Sequence, residues 1–190
     1  MLSARHRALA ALLPIAVAML VSLVALGPAQ ADHYNRLLAP KSVCGDQLKD
    51  RISADRMERS MRCMHNYARR KVGVNRLRQR SRLMKSSQAK SRDILDCQNF
   101  SHTACGLDAF HWLHEFLYTA SGCYSIAENI SMGSSYRGSV RHTMIGWLHS
   151  DGHRASLLNS RFRHVGLGVV RGNYKGYNVR VWTAHFGDLC

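Results

Sequence analysis

Six cysteines, Cys44, Cys63, Cys97, Cys105, Cys123 and Cys190, constrain this chain more than any other feature. All lie beyond an N-terminal stretch with the build of a secretory signal. Arg5 and Arg7 supply a basic start, Ala8 to Leu26 an apolar run, and Ala29-Gln30-Ala31 a small-x-small cleavage site before Asp32. An even set of cysteines in an exported chain points to disulfides formed in an oxidising compartment. Six cysteines allow fifteen pairings. Cys97 with Cys105 is the first choice, because that bridge would close a small loop around His102; Cys105 with Cys123 is the next, and buried thiols are the alternative. The apolar run is long for a signal, so a retained anchor competes with cleavage, but Pro14 interrupts it and no basic stop-transfer flank follows.

Residues 1–31 are accordingly set aside as a signal, 32–52 read as an extended N-terminal arm, and 53–190 as one domain. The 159 residues left by cleavage suit one domain burying roughly two-thirds of its unfolded surface. The formal charge of +15 falls to +13 with Arg5 and Arg7 gone. Nearly all of it sits between Arg51 and Arg92, where fourteen Lys and Arg face only Asp55 and Glu58. Such a field favours an anionic partner, either a wall polymer or lipid headgroups. Its plainer reading is a solvated helical face. Nucleic acid is a poor fit, since Tyr67 is the only aromatic residue in that region and no binding motif accompanies it.

A helix is expected from Ser53, with Asp55 and Glu58 in its first turn, Arg69-Arg70-Lys71 in its last, and Met57, Met61, Met64 and Ala68 as its buried stripe. A second fits Ser81 to Cys97, turning Leu83, Ser87, Ser91 and Ile94 inward, with serines small enough for a close neighbour. Asp108 to Thr119 reads as a third, with Phe110, Leu113 and Leu117 inward. Cys123 to Ile130 is extended and carries one acid, Glu128. A Gly- and Ser-containing loop comes next, then a helix from Gly138 to His149. Val165 to Val170 and Tyr177 to Phe186 form a hairpin apolar on both faces, hence covered on both sides.

Three segments carry the chemistry in order: Phe100-Ser101-His102-Thr103, Ala127-Glu128-Asn129-Ile130, and Trp147-x-x-Ser150-x-x-His153 followed by Val165-Gly166. Ser150 and Asp151 are placed to cap the segment after Trp147, and Gly152 permits a sharp turn before His153. In these segments, over roughly residues 57–187, the chain resembles the bacterial secreted branch of the CAP superfamily (cysteine-rich secretory proteins, antigen 5 and pathogenesis-related proteins; the SCP domain). The resemblance implies an α+β fold, a three-layer α-β-α sandwich around a mainly antiparallel sheet. It also implies a groove where His102, Glu128 and His153 meet, with Ser150 where plant and animal members carry a second acid.

Two imidazoles and a carboxylate are a set that zinc or another divalent metal accepts, so His102 and His153 are candidate metal ligands and Glu128 a candidate general base. Without metal, the carboxylate would hydrogen-bond a histidine and raise its pKa. Each residue also has a structural reading: Glu128 knitting loops together, His153 packed on Trp147, His102 capping a turn. His111 with His114, and His149 with His153, have metal-like spacing, but the first pair matches no functional position and a helix break should separate the second. His185, near the end of the last strand, could face the same cleft, but the sequence does not place it. The resemblance implies a secreted, envelope-associated binding module for a lipid-like or wall-derived ligand ahead of a purely structural protein, and both ahead of a metal-assisted hydrolase.

Overall fold

The computed structural model describes residues 34–190; the expected signal lies outside them. Helix α1 (Ala54–Lys71) begins where Ser53 accepts the Arg56 N–H, and it buries Met57, Met61, Met64 and Ala68, the expected stripe. Strand β1 (Arg78–Gln79) leads into α2 (Ser81–Asp96). Short helix α3 (His111–Glu115) precedes β2 (Tyr124–Ser134), then α4 (Val140–His149), α5 (Asp151–Leu158), β3 (His164–Tyr174) and β4 (Tyr177–Leu189).

The sheet order is β1-β3-β4-β2, antiparallel except for the short β1–β3 pairing. Alternation along β3 and β4 sorts the two faces. Val165, Leu167, Val169, Trp182, Ala184 and Phe186 join the α1 and α4 residues in one core cluster. Ser87, Ser91 and the backbone of α2 lie against Gly166, Gly168, Thr183 and His185 on the other face. Helices therefore cover both sides of the sheet, the expected three layers.

The contact between α2 and the sheet depends on missing side-chain volume. A Cβ on Gly166 would stand 2.0 Å from the Leu83 carbonyl carbon, and one on Gly168 2.5 Å from Ser87 backbone. Into that space Ser87 sends its hydroxyl to the Gly166 carbonyl (3.1 Å), and Ser91 bonds Thr183 (2.9 Å). The close neighbour expected from the serines is thus the sheet backbone itself.

Several local expectations change. The third helix is only five residues long. Leu117 takes a left-handed φ of 56°, and the Leu117 and Tyr118 N–H groups return to the His114 and Leu113 carbonyls, a helix-ending motif that exposes Leu117 and buries Tyr118. Strand β2 runs on to Ser134, through residues expected to be loop. The segment 34–52 is a series of turns rather than an extended arm: Leu37, Leu38 and Ala39 enter the core, and Gln47 donates to the carbonyls of Ala39, Pro40 and Cys44. Disulfides pair Cys44 with Cys63, Cys97 with Cys105 and Cys123 with Cys190. The first-choice bridge around His102 is present, the Cys105–Cys123 alternative is not, and no described cysteine is free.

Arg69 is fully buried and meets no carboxylate; its guanidinium donates to the carbonyls of Asn75 (2.6 Å), Leu157 (2.8 Å), Asn159 (3.0 Å) and Phe162 (2.8 Å). Burial pulls its pKa down to about 10, which still leaves it charged at neutral pH. One side chain thereby ties α1 to two other segments of the chain through their backbone carbonyls.

Candidate functional site

Register brings the site together. Glu128 on β2 is the direct cross-strand partner of His185 on β4, which is itself opposite Gly166 on β3. Both side chains point to the α2 face, and His102 arrives above them from the loop that the Cys97–Cys105 bridge ties to the end of α2. Glu128, with 2% of its side chain exposed, accepts from His102 Nδ1 at 2.6 Å and from His185 Nε2 at 2.7 Å, one imidazole on each oxygen. A carboxylate offers only acceptors, so both facing nitrogens carry protons. His185 Nδ1 lies 2.7 Å from the Ser86 hydroxyl, which also reaches the Leu83 carbonyl at 2.8 Å. The result is a hydrogen-bonded column from the half-exposed His102 through Glu128 to the fully buried His185 and Ser86.

Charge reinforces the column. Lys90, fully buried, donates to the His102 carbonyl and adds a cation near Glu128. Burial pushes the Glu128 carboxyl up, but the hydrogen bonds from His102 and His185, with the charges of His185 and Lys90, outweigh it and hold the group below its ordinary value. His102 is raised, chiefly by its hydrogen bond to Glu128 and despite partial burial. A raised histidine contributes stability that is fully present below its unfolded value of 6.5 and is lost as pH rises through its folded value. Glu128→Gln keeps the shape but replaces one acceptor by an amide donor facing an imidazole. It is expected to cost about 1–3 kcal/mol in denaturant unfolding at pH 6.

His153 approaches without joining. It sits in the first turn of α5, half-buried, and its carbonyl accepts from Asn129 Nδ2 at 2.9 Å. Its pKa is lowered by burial and then by the nearby charge of His102, so the two rings are electrostatic neighbours. Neither ring hydrogen-bonds the other. Ser150 links α4 to α5 in extended conformation, and its side chain caps nothing, contrary to expectation. The chain breaks there rather than at Gly152, which lies inside α5. Because His149 ends α4 and His153 comes after the break, these two do not share a helix face. His114 bonds Thr119 (2.7 Å) and His111 packs edge-on against Trp112, so that pair is structural.

The metal expectation meets a poor donor set. Both Glu128 oxygens are already taken by imidazole N–H groups, as is His102 Nδ1, and the described residues contain no group of three or more His, Cys, Asp or Glu side chains able to hold an ion. Zinc with only His102 and His153 would lack a third protein ligand. For the same reason Glu128 is the carboxylate that orients His102 rather than an uncommitted base. Sequence reasoning missed Ser86 and Lys90, and left His185 as a residue that could face the cleft without placing it. Lys90 could have been suspected, since it falls seven residues after Leu83 on the buried stripe of α2; His185 needed the strand register.

Known proteins fit this architecture. The family model for the cysteine-rich secretory protein family, CAP, matches residues 63–186. The chain belongs to the CAP family. Among curated relatives of this CAP protein, the uncharacterised protein YkwD of Bacillus subtilis (strain 168) is 31% identical over 124 residues, 64% of this chain and 43% of YkwD, so the chain spans less than half of that relative. Among solved structures, an outer surface protein of Borrelia burgdorferi is 18% identical with a TM-score of 0.60, over 73% of this chain and 97% of that one. An extracellular SCP-domain protein of Bacillus anthracis str. Ames is 24% identical with a TM-score of 0.53, over 73% of this chain and 44% of that one. At these identities the two structures bear on the fold alone, and the fold is the one the CAP resemblance implied.

Proposed function

We propose that this CAP protein is an exported binding module of the cell envelope, with the His102–Glu128 column as the polar floor of a site for a lipid-like or wall-derived ligand. The observation that carries the reading is the state of His102. A buried carboxylate fixes its ring from behind, while about half of its side chain is exposed and its outer nitrogen, Nε2, makes no hydrogen bond among the described residues. An oriented, protonatable donor of this kind suits recognition of a phosphate, carboxylate or carbonyl oxygen. His153 and Ser150 lie in the segment beside it. Export is supported by the signal-like N-terminus, by three disulfides, and by the extracellular and outer-surface neighbours.

The test is binding to anionic vesicles and to purified wall fragments at pH 6 and at rising salt. Binding is expected to weaken with salt and to be reduced in His102→Ala with the fold intact. Binding indifferent to both salt and His102 would reject the proposal. Binding untouched by Glu128→Gln despite lowered stability would favour the purely structural reading of the column.

A second reading, hydrolysis, draws on one observation: an imidazole backed by a carboxylate is how a general base is held. It then runs through His102 rather than zinc. Among the described residues no Ser, Thr or Cys side chain hydrogen-bonds His102, so the paired nucleophile that such a base serves is not in place. Water would have to be the nucleophile.

A further inference from the structure

A second site lies at the opposite edge of the sheet. Between α1 and the segment 75–79, reaching the start of β3, is an open cleft of about 920 Å³ that shares no residue with the His102–Glu128 column. Six arginines line it, Arg59, Arg62, Arg70, Arg76, Arg78 and Arg163, and no acidic residue does. Arg59 is paired with Asp55, and Arg163 reaches Asp188 at 3.7 Å. The other four make no side-chain hydrogen bond or ion pair among the described residues. Four unpaired guanidinium groups gathered around a concave surface with no acid in its lining repel one another, and an anion in the cleft would relieve that repulsion.

The cleft is also held open. Asn66 on α1 donates to the Leu77 carbonyl (3.1 Å) and accepts its N–H (2.7 Å), while the buried Arg69 grips the Asn75 carbonyl. On the rim, Cys63 is bonded to Cys44. The field is felt by His164 at the cleft end, whose pKa is lowered by burial and by Arg80, Arg78 and Arg163, outweighing Asp188.

Shape and lining select the ligand. Arg59, Arg62 and Arg70 run along one stripe of α1, about 16 Å from first to last at 1.5 Å per residue, and Arg76, Arg78 and Arg163 face them. That is long for one phosphate and suits several in a row, each met by a guanidinium fork. The one ring in the lining, the His164 imidazole, is buried and bonded to Tyr118 and Arg80, and no Phe, Tyr or Trp lines the cleft to stack on a base, which argues against nucleic acid. We infer that this arginine-lined cleft binds a linear chain of phosphates or phosphodiesters that carries no bases. The inference rests on the reading that the basic face meets an anionic envelope partner, and it assigns that partner its own site, separate from His102.

Binding of a labelled short linear polyphosphate tests it, with single-stranded DNA of equal charge and inorganic phosphate as competitors. Four arginines without partners, Arg62, Arg70, Arg76 and Arg78, are changed together to glutamine, and Lys85, Arg92, Arg137 and Lys175 are changed in a control of equal charge. The cleft variant is expected to bind at least about tenfold more weakly, the control to stay within about twofold of the parent, and DNA to compete poorly. Equal losses in both variants would reduce the cleft to diffuse charge and overturn the inference, as would DNA competing as well as polyphosphate. His102→Ala is expected to leave polyphosphate binding unchanged. Polyphosphate binding in a chain that ignores wall fragments and vesicles supports the cleft and counts against the envelope role alone.

Discussion

Gly166→Ala is expected to cost on the order of 4 kcal/mol, among the larger losses available to a single substitution here. The added methyl would lie 2.0 Å from the Leu83 carbonyl carbon and 2.3 Å from the Met84 nitrogen, both backbone atoms in the first turn of α2. No rotamer change relieves a clash with backbone, so the whole helix must shift from the sheet. That displacement would also lengthen the Ser86–His185 contact (2.7 Å) and the Ser87–Gly166 bond (3.1 Å). Denaturant unfolding measures the loss. A cost below about 1 kcal/mol would show that α2 is held less closely than its contacts imply.

The second large effect is on acid stability. His65 is completely buried, stacked on Phe186 at 5.7 Å and tilted against Trp147 at 5.5 Å, and neither ring nitrogen has a hydrogen-bond partner. Burial, aided by the nearby Arg69 charge, lowers its pKa to about 3. The unfolded chain binds this proton near pH 6.5 while the folded chain does not, so the contribution is intact above about 6.5 and is lost progressively as pH falls towards 3. At about 1.4 kcal/mol per unit, roughly 2–3 kcal/mol disappears between pH 7 and pH 4.5. His65→Phe keeps the stacking and removes the proton. Urea unfolding at the two pH values is expected to show a shallower loss in that variant by this amount; identical losses would mean that His65 is not the group responsible.

Local periodicity made much of this fold legible. The stripe Met57, Met61, Met64 and Ala68 was readable because helical spacing is local, and so was the inward row on α2. Leu117 escaped because its apolar side chain suits a buried face, while the backbone ends the helix there to send Tyr118 inward to His164. The site was legible in part for the same reason. His102 and Glu128 carry recognisable neighbours, and the structure joins them directly. His153 shares only an electrostatic neighbourhood with them, and the zinc set built from the same letters lacks a third available ligand. His185 depends on which residue of β4 lies opposite Glu128, a long-range fact that no window of sequence contains. The charge excess between Arg51 and Arg92 was plain in sequence, but not its division into the buried Arg69, the buried Lys90 and an arginine-lined cleft.

Control of the His102 proton rests on Glu128, which joins an exposed histidine to a buried one. Its most direct test is an NMR titration of the His102 ring in the parent and in Glu128→Gln. The column predicts a midpoint above 6.5 in the parent, falling to 6.5 or lower once the carboxylate is gone. A parent midpoint at or below 6.5, or one that Glu128→Gln does not move, would contradict it.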